Sequence, residues 1–195
     1  RRRCTTGEHV RAAPDTLKAL YGNAIRWGAR RLCIADTVGH ATPDGVRHLV
    51  RFVRDEIIVP SGEDVKLDWH GHRDRGVGLA NCFGAIMEGV DRVHGTALGI
   101  GERVGNAEMD LLLINLKLLG VHKGDLTKLP DYSRLASRAC GVPIAPSYPV
   151  LGEDAVAVDE PVARDDEVRR HPLGVAQPEP QEGDEDQDPG RELEG

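Results

Sequence analysis

Residues 31–46 read RLCIADTVGHATPDGV, and this stretch decides the fold class. Residues 31–35 form a short apolar run, which is typical of a strand buried on both faces of a parallel sheet. The run opens into the polar loop 36–39, and Thr42-Pro43-Asp44 then carries the signals that begin a helix, with proline suited to the first turn. A strand, a polar loop and a helix in this order predict a parallel α/β architecture.

The same unit recurs along the chain, and polar residues collect just after each predicted strand. The other predicted elements are a helix over 14–29, a strand over 65–70, a helix over 78–88, a strand over 91–96, a glycine-rich loop over 98–105, and helices over 107–119 and 132–140. Loops that follow the carboxyl ends of parallel strands are where such folds place their chemistry. These loops therefore supply the candidate functional residues.

Composition excludes several classes of function. No apolar run approaches the ~20 residues that span a bilayer, and Arg1-Arg2-Arg3 is not followed by an apolar signal segment, so membrane and secretory interpretations are excluded. Basic residues are scattered among acids with few aromatics, which argues against nucleic-acid binding. The four cysteines form no CxxC pair, which favours reduced thiols and a cytoplasmic location.

Charge is divided unevenly along the chain. The net charge of −7 combines +4 over residues 1–151 with −11 over residues 152–195. The acidic part is rich in Pro, Glu, Asp, Gln and Gly and has no periodicity, so it cannot bury enough apolar surface to offset the entropy of ordering. We predict an α/β region over 1–120, a short helical remnant over 121–151 and a disordered acidic tail over 152–195.

The motif His70-Gly71-His72 ends the predicted strand 65–70 and is the clearest candidate for chemistry. Side chains two residues apart in an extended segment point the same way, so both imidazoles can face one ion. Neutral imidazole suits Zn, Mn, Fe or Co, and two histidines leave coordination positions for carboxylate, water or substrate. Ordinary loop histidines are the alternative.

Polar residues after the neighbouring strands are the other candidates. The hydroxyl of Thr37 can donate to a substrate carboxylate, although a capping role for Asp36 is equally compatible with the spacing. Asp74 either fixes the tautomer of a ligand imidazole or caps the next helix. The segment 99–106 holds three glycines beside Glu102, Arg103 and Asn106, which implies tight turns that hold polar side chains over the sheet edge. His94 points into the site or belongs to the core.

Three motifs in this order, IADTVGHATP at 34–43, HGHRDRG at 70–76 and GTALGIGERVGN at 95–106, resemble the metal-dependent TIM-barrel acyltransferases that condense acetyl-CoA with 2-oxo acids. This family contains 2-isopropylmalate, homocitrate and citramalate synthases, and hydroxymethylglutaryl-CoA lyase is a relative. The resemblance spans residues 4–120, and residues 133–155 resemble the linker subdomain after the synthase barrel. The lyases carry a Cys-Pro loop in place of GIGERVGN, so the resemblance is to the synthases, and most to 2-isopropylmalate synthase.

The resemblance implies a site built around a divalent metal, either Mn, Mg or Zn. The implied residues are the metal ligands His70, His72 and Asn106, the 2-oxo acid ligand Thr37, the catalytic Glu8, and the supporting residues Asp74, Glu102 and Arg103. An ion chelated by the ketone and carboxylate oxygens of 2-oxoisovalerate acts as a Lewis acid that stabilises the alkoxide formed when the acetyl-CoA enolate attacks. The expected activity is therefore that of leucine biosynthesis, with homocitrate or citramalate synthesis as alternatives.

The chain departs from the family pattern in three ways. Nothing matches the Arg-Asp-Glu motif of the family's first strand, whose Asp binds the metal and whose Arg polarises the keto acid. Glu8 lies in TTGEH, where the register of the catalytic glutamate is ambiguous by a residue, and Arg73 stands where most members have Asn. The sequence beyond Val156 departs from the family altogether.

These departures imply a partial TIM barrel covering roughly strands five to eight of the eight in a complete barrel. Its two open strand edges imply pairing with the missing N-terminal half-barrel or with a second copy, and full-length members of the family are expected to be homo-oligomers. We expect the isolated chain to be inactive. A non-catalytic metal-binding or assembly remnant is the alternative from another functional class.

The acidic tail generates the first testable prediction. Because residues 152–195 carry −11 with almost no apolar periodicity, we expect limited proteolysis to remove them without changing the thermal unfolding midpoint of the remainder. Mass spectrometry of the protected core measures the cleavage point. Protection of the acidic segment at a protease concentration that nicks exposed loops would contradict the prediction.

Overall fold

The computed structural model describes the backbone of residues 2–5 and residues 9–156, and in this part of the chain four parallel strands form one sheet. The strands, which lie side by side in chain order, are β1 (Arg2–Thr5), β2 (Ala29–Asp36), β3 (Lys66–Gly71) and β4 (Arg92–Val93). The register places Cys33 opposite Asp68 and Ala35 opposite His70. Because all the strands run the same way, the loops that follow them gather at one edge of the sheet.

Helices connect the strands, as the sequence predicted. They are α1 (Pro14–Arg26), α2 (Pro43–Val53), α3 (Val59–Ser61), α4 (Gly78–Met87), α5 (Met109–Leu118) and α6 (Leu129–Cys140), with a wide helical turn over Arg54–Ile58 and single 3₁₀ turns over Ala97–Gly99 and Asp154–Val156. The predicted start at Thr42 is confirmed, since its hydroxyl accepts a hydrogen bond from the Gly45 amide at 3.1 Å.

The strand predicted over 91–96 is shorter than expected. β4 covers only Arg92–Val93, because Thr96 turns away from the sheet and its amide donates to the carbonyl of Ala107 at 3.0 Å. The first helix also ends earlier than predicted, at Arg26, and Gly28 adopts a φ of +93° where the chain turns into β2. Both differences lie at element ends, where tertiary hydrogen bonds decide the boundary.

The two faces of the sheet have different chemistry. Leu32 and Ile34 of β2 and Trp69 of β3 are fully buried and belong to a core shared with the helices. The alternate positions carry charged residues beside the small residues Cys33 and Ala35, and Asp68 forms an ion pair with Arg31 of the neighbouring strand. The predicted α/β class is confirmed, with an apolar face against helices and an opposite face that includes this ion pair.

Glu88, which follows α4, fastens α4 to α2. Its carboxylate is only 9% exposed and accepts hydrogen bonds from Arg51 at 2.8 Å and from Arg47 at 3.0 Å, two residues one turn apart on α2. Arg54 donates to the backbone carbonyl of Glu88. The hydrogen bonds from Arg51 and then Arg47 hold the pKa of the Glu88 carboxyl below its ordinary value.

The segment after α6 ends in a hydrogen-bonded turn. Gly152 donates to the carbonyl of Tyr148 at 2.9 Å and Asp154 donates to that of Pro146 at 3.0 Å. The acidic tail predicted from residue 152 thus has its first residues in this turn, and residues 157–195 lie outside the described part of the chain. Within the described part, no helix has both the length and the apolar character needed to cross a bilayer.

The core generates a stability prediction. Leu32 is 0% exposed in the core, whereas Leu118 at the end of α5 is 81% exposed. We expect Leu32→Ala to lower the free energy of unfolding by about 2–5 kcal/mol, because the substitution removes buried methyl groups and leaves a cavity. The matched variant Leu118→Ala should change it by about 0.5 kcal/mol or less. Urea unfolding followed by circular dichroism measures both, and equal losses would contradict this description of the core.

Candidate functional site

The candidate site lies where β2 and β3 end and where the loop after β4 returns to them. His70 is the next-to-last residue of β3, and His72 directly follows the strand. Asn106 forms an isolated antiparallel bridge with His72. The amide of His72 donates to the carbonyl of Asp36 at 3.1 Å, which joins the ends of β2 and β3. The structure therefore brings together the three residues predicted to bind a metal.

The two histidines face the same space. Their ring centres are 5.3 Å apart and the ring planes are at 87°. Gly71 between them leaves room for the Trp69 indole, since a Cβ at position 71 would lie 2.9 Å from the Trp69 Nε1 atom. The buried tryptophan and the histidine pair thus occupy opposite sides of one short strand end.

The geometry of the pair fits a divalent ion. Two imidazoles that bind one ion through metal–nitrogen bonds of about 2.0–2.1 Å have ring centres roughly 5 Å apart. His72 is 6% exposed, and its Nδ1 has no hydrogen-bond partner in the described part of the chain. Among the described residues, no group of three His, Cys, Asp or Glu side chains is arranged to hold a metal. Two imidazoles alone would supply at most two ligands of an ion.

Asn106 lies beside the histidines as the sequence predicted. Its side chain is 6% exposed and its amide nitrogen is 3.5 Å from the carbonyl oxygen of Gly71. The glycine at position 101 is required here, because a Cβ there would collide with the Asn106 amide oxygen. The backbone at Gly101 thus lies close against the Asn106 side chain.

A third histidine belongs to the same cluster. The His94 ring centre is 5.4 Å from that of His70, and its Nε2 is 3.6 Å from Oδ2 of Asp68. Burial, followed by the neighbouring His94 and His72, lowers the pKa of His70, which favours the neutral imidazole that binds metals. Sequence reasoning left His94 open and missed Asp68, although Asp68 lies two residues before His70 and shares its face of the strand.

Arg103 joins the loops that follow three strands. Its guanidinium donates to both carboxylate oxygens of Asp74, at 2.8 and 3.0 Å, and to the backbone carbonyl of Thr37 at 2.5 Å. The hydrogen bond from Arg103 lowers the pKa of the Asp74 carboxyl. Asp74 was predicted to orient a ligand imidazole or to cap the next helix, but it instead pairs with Arg103, and α4 has no side-chain cap.

Thr37 and Glu102 differ in how far they are exposed to solvent. Asp36 is fully buried and accepts hydrogen bonds from the amides of His40 and Ala41 at 2.8 and 3.0 Å, so it caps the loop, while the next residue, Thr37, is half-buried. The Glu102 side chain is 80% exposed and lies 3.9 Å from Arg103. Glu102 is therefore a rim charge.

Arg73, which stands where the family resemblance leads us to expect Asn, makes several contacts with the glycine-rich loop. Its Nε donates to the carbonyl of Val104 at 2.6 Å, and its guanidinium forms an ion pair with Glu108. A Cβ at Gly99 would lie 2.9 Å from the Arg73 guanidinium, and Gly99 has a φ of +67°. Both the backbone conformation of Gly99 and the position of the Arg73 guanidinium therefore disfavour a side chain at residue 99.

Glu8 lies outside the described residues, but its neighbour His9 is described. His9 is 2% exposed, and its Nδ1 accepts a hydrogen bond from the Ala35 amide at 2.9 Å. The Tyr21 hydroxyl is 3.0 Å from the same nitrogen and donates to the carbonyl of Cys33 at 2.9 Å. His9 is thus fixed against the carboxyl end of β2 and has a structural role there.

Comparison with known proteins identifies the family. Residues 4–136 match the HMGL-like family. A 2-isopropylmalate synthase from Chromobacterium violaceum is 33% identical over 162 residues, which cover 80% of this chain and 31% of that protein. An (R)-citramalate synthase from Methanocaldococcus jannaschii is 32% identical over 150 residues, which cover 76% of this chain and 29% of that protein. The chain therefore spans about a third of the length of these curated relatives.

A solved structure shows the same fold. The HMG-CoA lyase from Acinetobacter baumannii, in complex with coenzyme A and 3-methylmalate, superposes with a TM-score of 0.54 at 27% identity, over 63% of this chain and 41% of that one. The fold neighbours of this family are TIM barrels. Since the family match covers β2, β3, β4 and both histidines, this chain belongs to the HMGL-like family, with 2-isopropylmalate and citramalate synthases among its relatives.

Proposed function

We propose that this chain is a metal-binding part of a 2-isopropylmalate synthase-type acyltransferase, an enzyme that condenses acetyl-CoA with 2-oxoisovalerate in leucine biosynthesis. The observation that carries the proposal is the His70–His72 pair, whose ring separation of 5.3 Å matches two ligands of one ion. Citramalate synthesis is the second candidate, because relatives of both kinds have similar identity to this chain. Homocitrate synthesis is a further alternative within the same chemistry.

In this proposal each residue has a separate task. His70 and His72, with Asn106 beside them, hold a divalent ion, and the ion supplies Lewis acidity toward the ketone of the 2-oxo acid. Thr37 binds the substrate carboxylate through its hydroxyl, and Arg103 holds the backbone of Thr37 in place through the bond at 2.5 Å. Glu8 is proposed as the catalytic glutamate, while Asp74 and Glu102 support Arg103 from either side.

The proposed partners are acetyl-CoA, a 2-oxo acid and the rest of a barrel. In the described part of the chain, β1 and β4 each pair on one side only, which leaves two strand edges for a missing N-terminal half-barrel or a second copy. The polar face formed by Arg31, Asp68 and His94 is consistent with the interior of such a barrel, near its site. Full-length assemblies are proposed to be homo-oligomers in the cytoplasm.

The proposed organisation of the chain follows the sequence analysis. Residues 1–120 form the partial barrel, roughly strands five to eight of a complete one, residues 121–151 form a subdomain remnant, and the acidic tail follows. A metal-binding or assembly remnant without catalysis remains the rival proposal from another functional class. The two predictions below separate these possibilities.

Metal binding provides the first test. We expect Zn²⁺ to bind with modest affinity, because two imidazoles and an amide lack an anionic ligand, and we expect His72→Ala to weaken binding about ten-fold or more. His48→Ala is the matched control, since the His48 side chain is 66% exposed on α2 and should not affect binding. Isothermal titration calorimetry measures all three proteins. Equal binding by a His70→Ala/His72→Ala double variant would disprove the site.

Catalysis provides the second test. Removing a single preorganised electrostatic group typically costs about 10²–10³ in rate, and among the described residues no group of three His, Cys, Asp or Glu side chains is arranged to hold the ion. We therefore expect no release of free CoA from acetyl-CoA and 2-oxoisovalerate by the isolated chain. Mixing it with an N-terminal half-barrel of a related synthase should restore turnover, and His72→Ala should abolish the restored activity.

The outcomes of this assay are decisive in both directions. Robust turnover by the isolated chain would contradict the partial-barrel proposal. Restored activity with pyruvate in place of 2-oxoisovalerate would favour citramalate synthesis. Metal binding with no turnover in any mixture would favour the non-catalytic remnant.

A further inference from the structure

The segment between α6 and residue 152 returns to the loop that carries Asn106. The hydroxyl of Tyr148 donates to Oδ2 of Asp110 at 2.8 Å. Asp110 is fully buried, and its other oxygen, Oδ1, accepts a hydrogen bond from the Leu98 amide at 2.7 Å. One buried carboxylate therefore connects Tyr148 to the start of the glycine-rich loop.

This loop depends on contacts from outside itself. Leu98 and Arg103 both adopt a φ of +55°, a left-handed backbone that costs a residue with a Cβ roughly 1–2 kcal/mol. Ala97 and Leu98 at the start of the loop are buried, whereas residues 101–104 are exposed. Polar contacts hold the exposed part, among them the bond from Arg73 to the Val104 carbonyl at 2.6 Å.

One further contact joins this part of the chain to the same loop, and an internal hydrogen bond shapes the segment around Tyr148. α6 lies against the turn Ala97–Gly99, with Leu129 and Ser133 buried on its inner side. The segment folds closely around Tyr148, because Gly152 donates to the Tyr148 carbonyl and a Cβ at Gly152 would lie 2.1 Å from the Pro146 carbonyl oxygen. Tyr148 is thus presented by a tight turn rather than by a free strand.

In the hydrogen bond between Tyr148 and Asp110, the tyrosine hydroxyl is the donor. Burial, and then the hydrogen bond to Asp110, raise the pKa of the Tyr148 hydroxyl. The hydroxyl therefore keeps its proton and donates it to the carboxylate.

We propose that Tyr148 is a positioning residue, and that residues 141–152 act as a strap that holds the loop 97–106 in the shape needed at the site. Tyr148 touches neither histidine and acts through Asp110 and Leu98. The loop in turn presents Asn106 beside His72. The strap's effect on metal binding rests on the proposed function, whereas its effect on the loop does not.

The test compares Tyr148→Phe with Tyr132→Phe, a matched control whose side chain is 46% exposed on α6. Hydrogen–deuterium exchange of the metal-free chain is followed at the Leu98 amide and over residues 97–106. We expect Tyr148→Phe to accelerate this exchange about ten-fold or more, the factor that corresponds to losing a hydrogen bond to a carboxylate. The control should leave it unchanged, as should both variants at the amides of β2.

A second variant tests the same contact without removing the tyrosine hydroxyl, so that a folding defect of Tyr148→Phe cannot be mistaken for the expected effect. Gly152→Ala keeps the Tyr148 hydroxyl but distorts the turn that presents it, and we expect the same local acceleration over residues 97–106 with the thermal unfolding midpoint of the core retained. Zn²⁺ affinity should fall several-fold in both variants. If exchange at Leu98 is unchanged, or rises equally throughout the core, the strap is disproved. If the wild-type chain binds no Zn²⁺, the proposed function fails, but the exchange measurement still decides the strap.

Discussion

The guanidinium of Arg103 is the contact on which the candidate site depends. It reaches the carboxylate of Asp74 and the carbonyl of Thr37, so that the loops after β2, β3 and β4 are tied by one planar group. A bidentate pair fixes orientation as well as distance, which a lysine could not do. The same loops also share the backbone contact between His72 and Asp36 and the bond from Arg73 to the Val104 carbonyl.

The glycine-rich loop shows how this chain accommodates its departures from the family pattern. Arg73 fills the space beneath the loop, and a side chain at Gly99 would collide with it. On the other side, Asp110 holds the Leu98 amide and is itself held by Tyr148. The loop is therefore enclosed between a cation from the strand end and a buried anion from α5. Burial of Leu98, together with hydrogen bonds on both sides of the loop, maintains its left-handed residues.

The polar face of the sheet explains why a partial barrel is consistent with this chain. Asp68 is fully buried between Arg31 and His94, and the same face continues to His70. A buried carboxylate needs partners, and here they come from the neighbouring strands rather than from the helices. In the proposed function this face continues into a second set of strands, which would complete the set of metal ligands, since no group of three is present among the described residues.

Local sequence determined where most strands and helices lie, because their periodicity depends on neighbouring residues. The helix start at Thr42-Pro43 is local in the same sense. Local sequence also identified His70 and His72, since spacing along one strand fixes which side chains share a face. Only the tertiary structure assigned Asp74 to Arg103, a residue 29 positions away, and connected Tyr148 to the loop through Asp110. Contacts between distant residues depend on how strands and loops are brought together, which no local pattern encodes. The sequence by itself therefore determined the fold class and the histidine pair, and tertiary packing decided what surrounds and positions them.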